Sequence, residues 1–162
     1  QKGNIVSYID LESVEQITYL RSTLEKEIMK ELSPNIPLKG LHELRSLLSA
    51  QKNCIQKEKS QEDKMEEFMV LDDTFHKTLF TLAGRAFLWE LIQQFNVHYI
   101  RYRRLHALKK EKLYQIQREH EEILDCIVLG DIDKIDQLVY RHIRADINSP
   151  HFREDFIDYI KK

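Results

Sequence analysis

The residues that decide the fold are ILDCIVLGDIDKIDQLVYRHI, at positions 123–143. On both sides of the central Gly130-Asp131 pair, apolar side chains recur every three or four residues, which is the spacing of an amphipathic helix. Glycine readily ends a helix in a left-handed cap, and aspartate commonly begins the next one. A joint this short folds the second helix back against the first. The stretch therefore predicts two antiparallel helices, over residues 111–129 and 132–147.

The same spacing extends through the rest of the chain. Asp10 is a good N-cap for a first helix whose apolar stripe runs through Leu20, Leu24 and Ile28. Ser60 opens a capping-box sequence for a third helix, and Gly84 can end that helix. The predicted helices cover residues 10–32, 38–59, 60–83, 86–105, 111–129, 132–147 and 149–159. The sequence thus predicts an all-α protein, an antiparallel bundle of six or seven helices.

Composition limits the classes of function that fit the chain. With 162 residues, 25 Lys and Arg, 27 Asp and Glu and a net charge of −2, it is one domain without the basic surplus of a segment that grips nucleic acid by itself. No apolar run approaches a membrane span and no signal peptide is visible, so we expect no membrane partner and no export. Cys54 and Cys126 are then expected to be buried free thiols.

Three of the seven histidines stand out by their position. His76, His120 and His142 fall on or beside the apolar stripes of three different predicted helices, so each is expected to point toward the core. His42, His106 and His151 lie at helix ends or in polar stretches and are expected to be solvated, and His98 fits either environment. A buried imidazole needs a hydrogen-bond partner or a metal ion.

A carboxylate is available next to one of these histidines. Asp72 precedes His76 by four residues, so on a helix both side chains project from one face, and Asp73 is a competing candidate. Nitrogen and carboxylate donors suit Zn²⁺ best, with Ni²⁺ and Mn²⁺ as alternatives, whereas Ca²⁺ and Mg²⁺ prefer oxygen donors only. The spacing alone is equally compatible with ordinary core histidines.

Other motifs are absent or uninformative. The sequence has no E-x-x-H of a di-iron bundle, no HExxH, no GxSxG and no phosphate-binding glycine loop. One basic cluster interleaves with tyrosines and is interpreted as a solvated helix end rather than a nucleic-acid site. Its members are Arg101, Arg103, Arg104, Lys109, Lys110 and Lys112.

Four segments, in order, carry a resemblance to a known family. They are R-x-x-L-E at residues 21–25, D-x-x-F-H at 72–76, E-H-x-x-I-L followed by G-D at 119–131, and the histidine of Arg141-His142. Together they resemble the C-terminal effector-sensing domain, called the FCD domain, of GntR-family transcription regulators of the FadR type. The chain departs from that pattern at Gly84-Arg85, where many members have Gly-Asn.

The resemblance implies a ligand set and partners. The family's metal ligands fall on Asp72, His76, His120 and His142, and Asp72 is preferred to Asp73 because the family's aspartate sits four residues before its histidine. Similar domains bind small organic acids as effectors and form homodimers. Arginine suits a carboxylate by its two-pronged geometry, so three arginines are candidates for holding the effector. These candidates are Arg21, Arg101 and Arg85.

The resemblance also implies the domain organisation. Residues 1–9 mix a turn with strand-forming side chains and look like the end of the wing of a missing winged-helix DNA-binding domain, although the pattern alone also fits a frayed terminus. Residues 10–162 then form the helical effector-sensing and dimerisation domain. DNA would be bound only through the missing domain.

The expected function is therefore that of a ligand-sensing domain in a cytoplasmic bacterial transcription regulator, and not of an enzyme. It would bind a divalent metal and a small carboxylate in the bundle core and so control DNA binding. Two alternatives remain open: a metal-dependent helical-bundle enzyme, since a metal with open positions can activate water, and a metal-free helical interaction domain.

Overall fold

The computed structural model describes residues 8–147 and 149–160, which form eight α-helices and one 3₁₀ turn. The prediction of an all-α bundle is confirmed. The elements are α1 (Leu11–Leu32), α2 (Leu38–Gln56), α3 (Gln61–Leu82), α4 (Ala86–Gln94), α5 (Val97–Ala107), α6 (Lys110–Leu129), α7 (Ile132–Ile143), α8 (Pro150–Asp155) and the turn Ile157–Tyr159. Among the described helices, none is long and apolar enough to cross a membrane.

The helix count exceeds the prediction because one predicted helix is two. The single helix expected over residues 86–105 breaks at Phe95-Asn96, between α4 and α5. Asn96 is buried, its side-chain amide donates to Gln93 (2.7 Å), and its carbonyl accepts from the backbone N–H of Ile100 (2.8 Å). Asn96 is the N-cap residue of α5, a position that asparagine favours, although its side chain makes no cap hydrogen bond.

The long helices enclose one main apolar core. Helix α1 packs against α7 and α5, α2 packs against α3 and α6, and α6 packs against α7. The core between them contains Phe75, Phe80, Trp89 and Ile127, and a smaller cluster beneath α8 contains Phe152. Both cysteines, Cys54 and Cys126, are buried and free, as expected.

Caps at helix ends agree with the sequence prediction at several positions. The carboxylate of Asp10 accepts hydrogen bonds from the backbone N–H groups of Glu12 and Ser13, and the hydroxyl of Ser60 accepts one from Asp63. Gly84 and Gly130 follow α3 and α6 with φ of 72° and 74°, the left-handed region. The antiparallel turn from α6 to α7 at Gly130 is therefore as predicted.

The start of the chain is only partly described. The proposed wing remnant at residues 1–9 lies mostly outside the described residues, which begin at Tyr8. Ile9 forms an isolated parallel bridge with Ile160, and its N–H donates to the carbonyl of Tyr159 (2.7 Å). An extended residue here therefore does have a partner within the helical domain, supplied by the segment after α8.

Replacement of Gly130 tests the turn between α6 and α7. We expect Gly130→Ala to lower the free energy of unfolding by about 1 kcal/mol, because an L side chain is strained at positive φ. Gly130→Asn should cost less, since asparagine tolerates this region better. Urea titration at one protein concentration measures both, and equal stability of Gly130→Ala and the parent would contradict the assigned conformation.

Candidate metal centre

Three helices bring four potential metal ligands together in the core. Helix α3 contributes Asp72 and His76, α6 contributes His120, and α7 contributes His142. One ligand atom from each lies within 4.8 Å of all the others. Asp72, His76 and His120 are buried, and His142 is nearly so. The cluster could hold a metal ion, and it consists of the four residues that the resemblance implies.

The histidines face one another through the same ring atom. Nε2 of His142 lies 3.1 Å from Nε2 of His120 and 3.2 Å from Nε2 of His76. An oxygen of Asp72 lies 3.4 Å from Nε2 of His120. Two adjacent ligands that are each 2.0–2.1 Å from a zinc ion are about 2.8–3.4 Å apart in octahedral or tetrahedral geometry. The observed separations therefore match those between ligands of a single ion.

The opposite ring nitrogen of each histidine faces an oxygen from elsewhere in the bundle. Nδ1 of His120 lies 2.9 Å from the side-chain oxygen of Gln51 on α2. Nδ1 of His142 lies 2.8 Å from a carboxylate oxygen of Glu119, and Nδ1 of His76 lies 2.6 Å from one of Glu25 on α1. Hydrogen bonds of this kind, here to His120 and His142, orient metal-binding imidazoles and fix their tautomer. The contact between His76 and Glu25 is close but does not have hydrogen-bond geometry.

The position of the ring proton, on Nδ1 or on Nε2, decides what can bind at the centre of the cluster. When Nδ1 carries the only ring proton, the Nε2 atoms present lone pairs, and lone pairs at 3.1–3.2 Å repel unless a proton or a metal ion lies between them. Burial lowers the pKa of His120 well below its ordinary value, and the neighbouring His142 lowers it further. The neutral, metal-binding form of His120 is therefore favoured, and the cluster fits a divalent ion.

Asp72, rather than Asp73, belongs to the cluster, and both contact Arg103. The guanidinium of Arg103 on α5 pairs with Asp72 and donates to a carboxylate oxygen of Asp73 at 2.7 Å. Burial by itself would raise the pKa of Asp72, but the charge of Arg103 lowers it overall. Asp72 is therefore ionised and able to share a cation.

Arg103 corrects the interpretation of the basic cluster as a solvated helix end. Its side chain is only 10% exposed. The sequence contained a signal for this position, because Tyr99, Tyr102, Arg103 and His106 are spaced three or four residues apart and so share one face of α5. That face is turned inward, and His106, which was expected to be solvated, is largely buried on it.

Helix α1 places a second arginine and its carboxylate partner beside the cluster. Arg21 and Glu25 are buried and joined by contacts of 2.7–2.8 Å, and Arg21 also donates to the hydroxyl of Tyr99 (2.7 Å). Although burial opposes it, the charges of Arg21 and His76 lower the pKa of Glu25 to about 2. Leu20, assigned to the apolar stripe, is 41% exposed instead, since the buried face of α1 is rotated toward these polar residues.

A cavity of about 50 Å³ adjoins the metal centre. Three of the four potential ligands, Asp72, His76 and His142, line it. The remaining lining residues come from α1, α3, α5, α6, α7 and the turn after α7. They are Arg21, Met69, Tyr99, Tyr102, Arg103, His106, Lys112, Ile116, Ile143 and Asp146.

Of the three arginines considered for effector binding, only Arg21 lines this cavity. Arg85 is on the surface, where its guanidinium pairs with Glu31 (2.8 Å). Arg101 contacts the carbonyl of Tyr8 at 3.4 Å. The spacing of residues along the sequence could not show which of the three arginines lines the cavity, because this depends on how α1 and α5 pack against α3.

The sequence did not predict which residues contact the Nδ1 atoms of the three histidines. Gln51 and Glu25 reach His120 and His76 from other helices, so no local spacing connects them. Glu119 adjoins His120 in sequence but supports His142, which is on the neighbouring helix. Only the tertiary arrangement reveals these pairings.

Comparison with known proteins agrees with this architecture. The family model for the FCD domain matches residues 16–145, and the chain belongs to that family. An HTH-type transcriptional regulator in an unstable DNA locus of Streptomyces ambofaciens is 27% identical over 143 residues, 88% of this chain and 58% of the relative. The HTH-type transcriptional repressor RspR of Escherichia coli K12 is 21% identical over 146 residues, 89% of this chain and 61% of the relative. The chain thus spans about three fifths of the length of these relatives.

The buried pair of Arg21 and Glu25 can be tested against an exposed pair. Arg21→Met should lower the free energy of unfolding by about 3 kcal/mol, because it leaves the carboxylate of Glu25 buried without its cation. Arg85→Met removes the same kind of side chain from an exposed pair with Glu31 and should change stability little. Denaturant unfolding of both variants gives the comparison, and similar losses would contradict the assigned burial.

Proposed function

We propose that this chain is the effector-sensing domain of a GntR-family transcription regulator of the FadR type. The observation that carries the proposal is the convergence of three imidazole Nε2 atoms beside a cavity, with an oxygen within 2.9 Å of each Nδ1. Membership of the FCD family and the transcription regulators among its relatives support it.

The proposed metal ligands are Asp72, His76, His120 and His142. Three nitrogens and one carboxylate suit Zn²⁺ best, with Ni²⁺ and Mn²⁺ as alternatives. When bound, the ion would supply a Lewis-acidic position for an oxygen of the effector. The chain's own residues orient the ligands: Glu25, Gln51 and Glu119 fix the rings, and Arg103 holds the carboxylate of Asp72.

The proposed effector is a small organic acid bound in the adjoining cavity. Arg21 lines that cavity and is our candidate for contacting the acid, whereas Arg85 and Arg101 do not line it. The hydroxyl of Tyr102 is buried in the same lining and has no hydrogen-bond partner among the described residues. A buried donor without a partner is costly, and an oxygen of a bound acid would satisfy it.

Signalling would follow from a shift between two arrangements of a homodimer. An acid that binds one arrangement better than the other biases the equilibrium by its difference in affinity. The missing winged-helix domain would make all contacts with DNA, and the protein would work in the cytoplasm of a bacterium. We propose no catalytic role, because the relatives are regulators rather than enzymes.

Elemental analysis of histidine variants tests the metal site. We expect about one metal ion per chain in the parent and none in His120→Ala or His142→Ala, because each variant removes a ligand from the core. His151→Ala, which alters an exposed histidine on α8, should keep full metal content. Full metal content in both core variants would overturn the ligand assignment.

Thermal melts in small organic acids test the effector. In the metal-loaded protein, an acid at about a hundred times its Kd should stabilise the fold by about 2.7 kcal/mol and raise the Tm accordingly. After chelation the same acid should produce little shift, because its oxygen has lost the metal. Tyr102→Phe should reduce the shift and leave the metal content unchanged. Equal shifts with and without metal would contradict a metal-bound acid.

A further inference from the structure

We propose that the effector carries two anionic groups and that Lys112 is the anchor for the second. This inference rests on the proposed function, since it assumes that the first group binds at the metal centre. The structure supports it through an ion pair in the lining of the same cavity, formed by Lys112 and Asp146.

Lys112 is unusual among the lysines that the structure describes in being buried. It lies in the first turn of α6, its side chain is 9% exposed, and it lines the same cavity as His76 and His142. A buried ammonium group needs an anionic or polar partner. In the described part of the chain that partner is the carboxylate of Asp146.

Asp146 lies in a turn and not in a helix. The turn follows the end of α7 at Ile143, so this wall of the cavity lacks the helical hydrogen bonds of the others. Nδ1 of His106 also lies 3.3 Å from the carboxylate. Burial would raise the pKa of Asp146, but His106 and Lys112 lower it to about 2, so the group is an anion.

The same ion pair separates the inner cavity from a wider pocket. A more open pocket of about 250 Å³ between α6 and the start of α8 shares His106, Lys112 and Asp146 with the inner cavity. Movement of Asp146 away from Lys112 would join the two spaces. The joined space would accept a longer ligand than the inner cavity of about 50 Å³.

These observations favour a dicarboxylate over a monocarboxylate. A second carboxylate can replace Asp146 on Lys112, so that the buried ammonium exchanges one anion for another and is never left unpaired. A monocarboxylate at the metal would leave the ion pair of Lys112 and Asp146 in place and gain nothing from it. Lys112 is therefore a residue that determines specificity, and Asp146 competes with the ligand.

Calorimetric titration of the metal-loaded chain with matched acids tests the proposal. The probes are malonate, succinate and glutarate, each paired with the monoacid of equal length: propionate, butyrate and valerate. We expect the best diacid to bind the parent at least about tenfold more tightly than its monoacid, in line with a charge-assisted contact. Metal content is measured after each titration, because diacids can chelate.

Two variants of the ion pair should change diacid affinity in opposite directions. Lys112→Met should weaken diacid binding about tenfold, because the second anchor is lost, and leave monoacid binding unchanged. Asp146→Asn should strengthen diacid binding several-fold, because the competing anion is removed. Lys110→Met, at an exposed position in the same turn of α6, is the matched control and should change neither.

The outcomes separate this inference from the proposed function. Equal affinities for diacids and monoacids, or parallel losses for both in Lys112→Met, would overturn the role of Lys112 while the acid sensor stands. No binding of any acid to the metal-loaded parent would overturn both. If Lys112→Met fails to fold, Asp146→Asn decides alone: diacid affinity at or below that of the parent would refute the competition.

Discussion

The convergence of three imidazole Nε2 atoms, with that of His142 3.1 Å from His120 and 3.2 Å from His76, is the constraint on which this structure depends. The rings can be buried in this orientation only because each outer nitrogen meets an oxygen. Those oxygens belong to Glu25, Gln51 and Glu119, on α1, α2 and α6. Five of the helices, α1, α2, α3, α6 and α7, must therefore be in place before the cluster is complete, so the bundle and the site form together.

The charges around the cluster are neutralised in pairs. Arg21 pairs with Glu25, whose carboxylate contacts Nδ1 of His76. Arg103 pairs with Asp72, one of the four potential ligands. Buried ion pairs contribute little net stability, because desolvation offsets most of their attraction, whereas loss of one partner is costly. The apolar core therefore supplies the stability, and the ion pairs fix the orientation of the ligands. Adjacent to them is a cavity whose lining holds an unpartnered hydroxyl, that of Tyr102.

The wall of the cavity is in contact with the segment that precedes α1. Phe152 on α8 packs against Tyr102 and His106, both of which line the cavity. The chain then continues to Ile160, which pairs with Ile9 directly before the cap of α1. A continuous set of packed contacts thus runs from the proposed effector position to the beginning of the described chain. Tertiary packing, and not sequence proximity, creates this connection.

The sequence by itself determined the all-α class and most helix ends, because caps such as Asp10 and Gly130 act on their nearest neighbours. Helical spacing also marked three histidines as inward-facing, whereas the choice of Asp72 as their partner came from the resemblance to the family. Tertiary structure decided the rest. It separated Arg21 from Arg85, turned Arg103 inward onto Asp72, and brought supporting oxygens to the histidines from distant positions. These outcomes depend on the rotation and packing of whole helices, which is a balance of long-range contacts that no local pattern encodes.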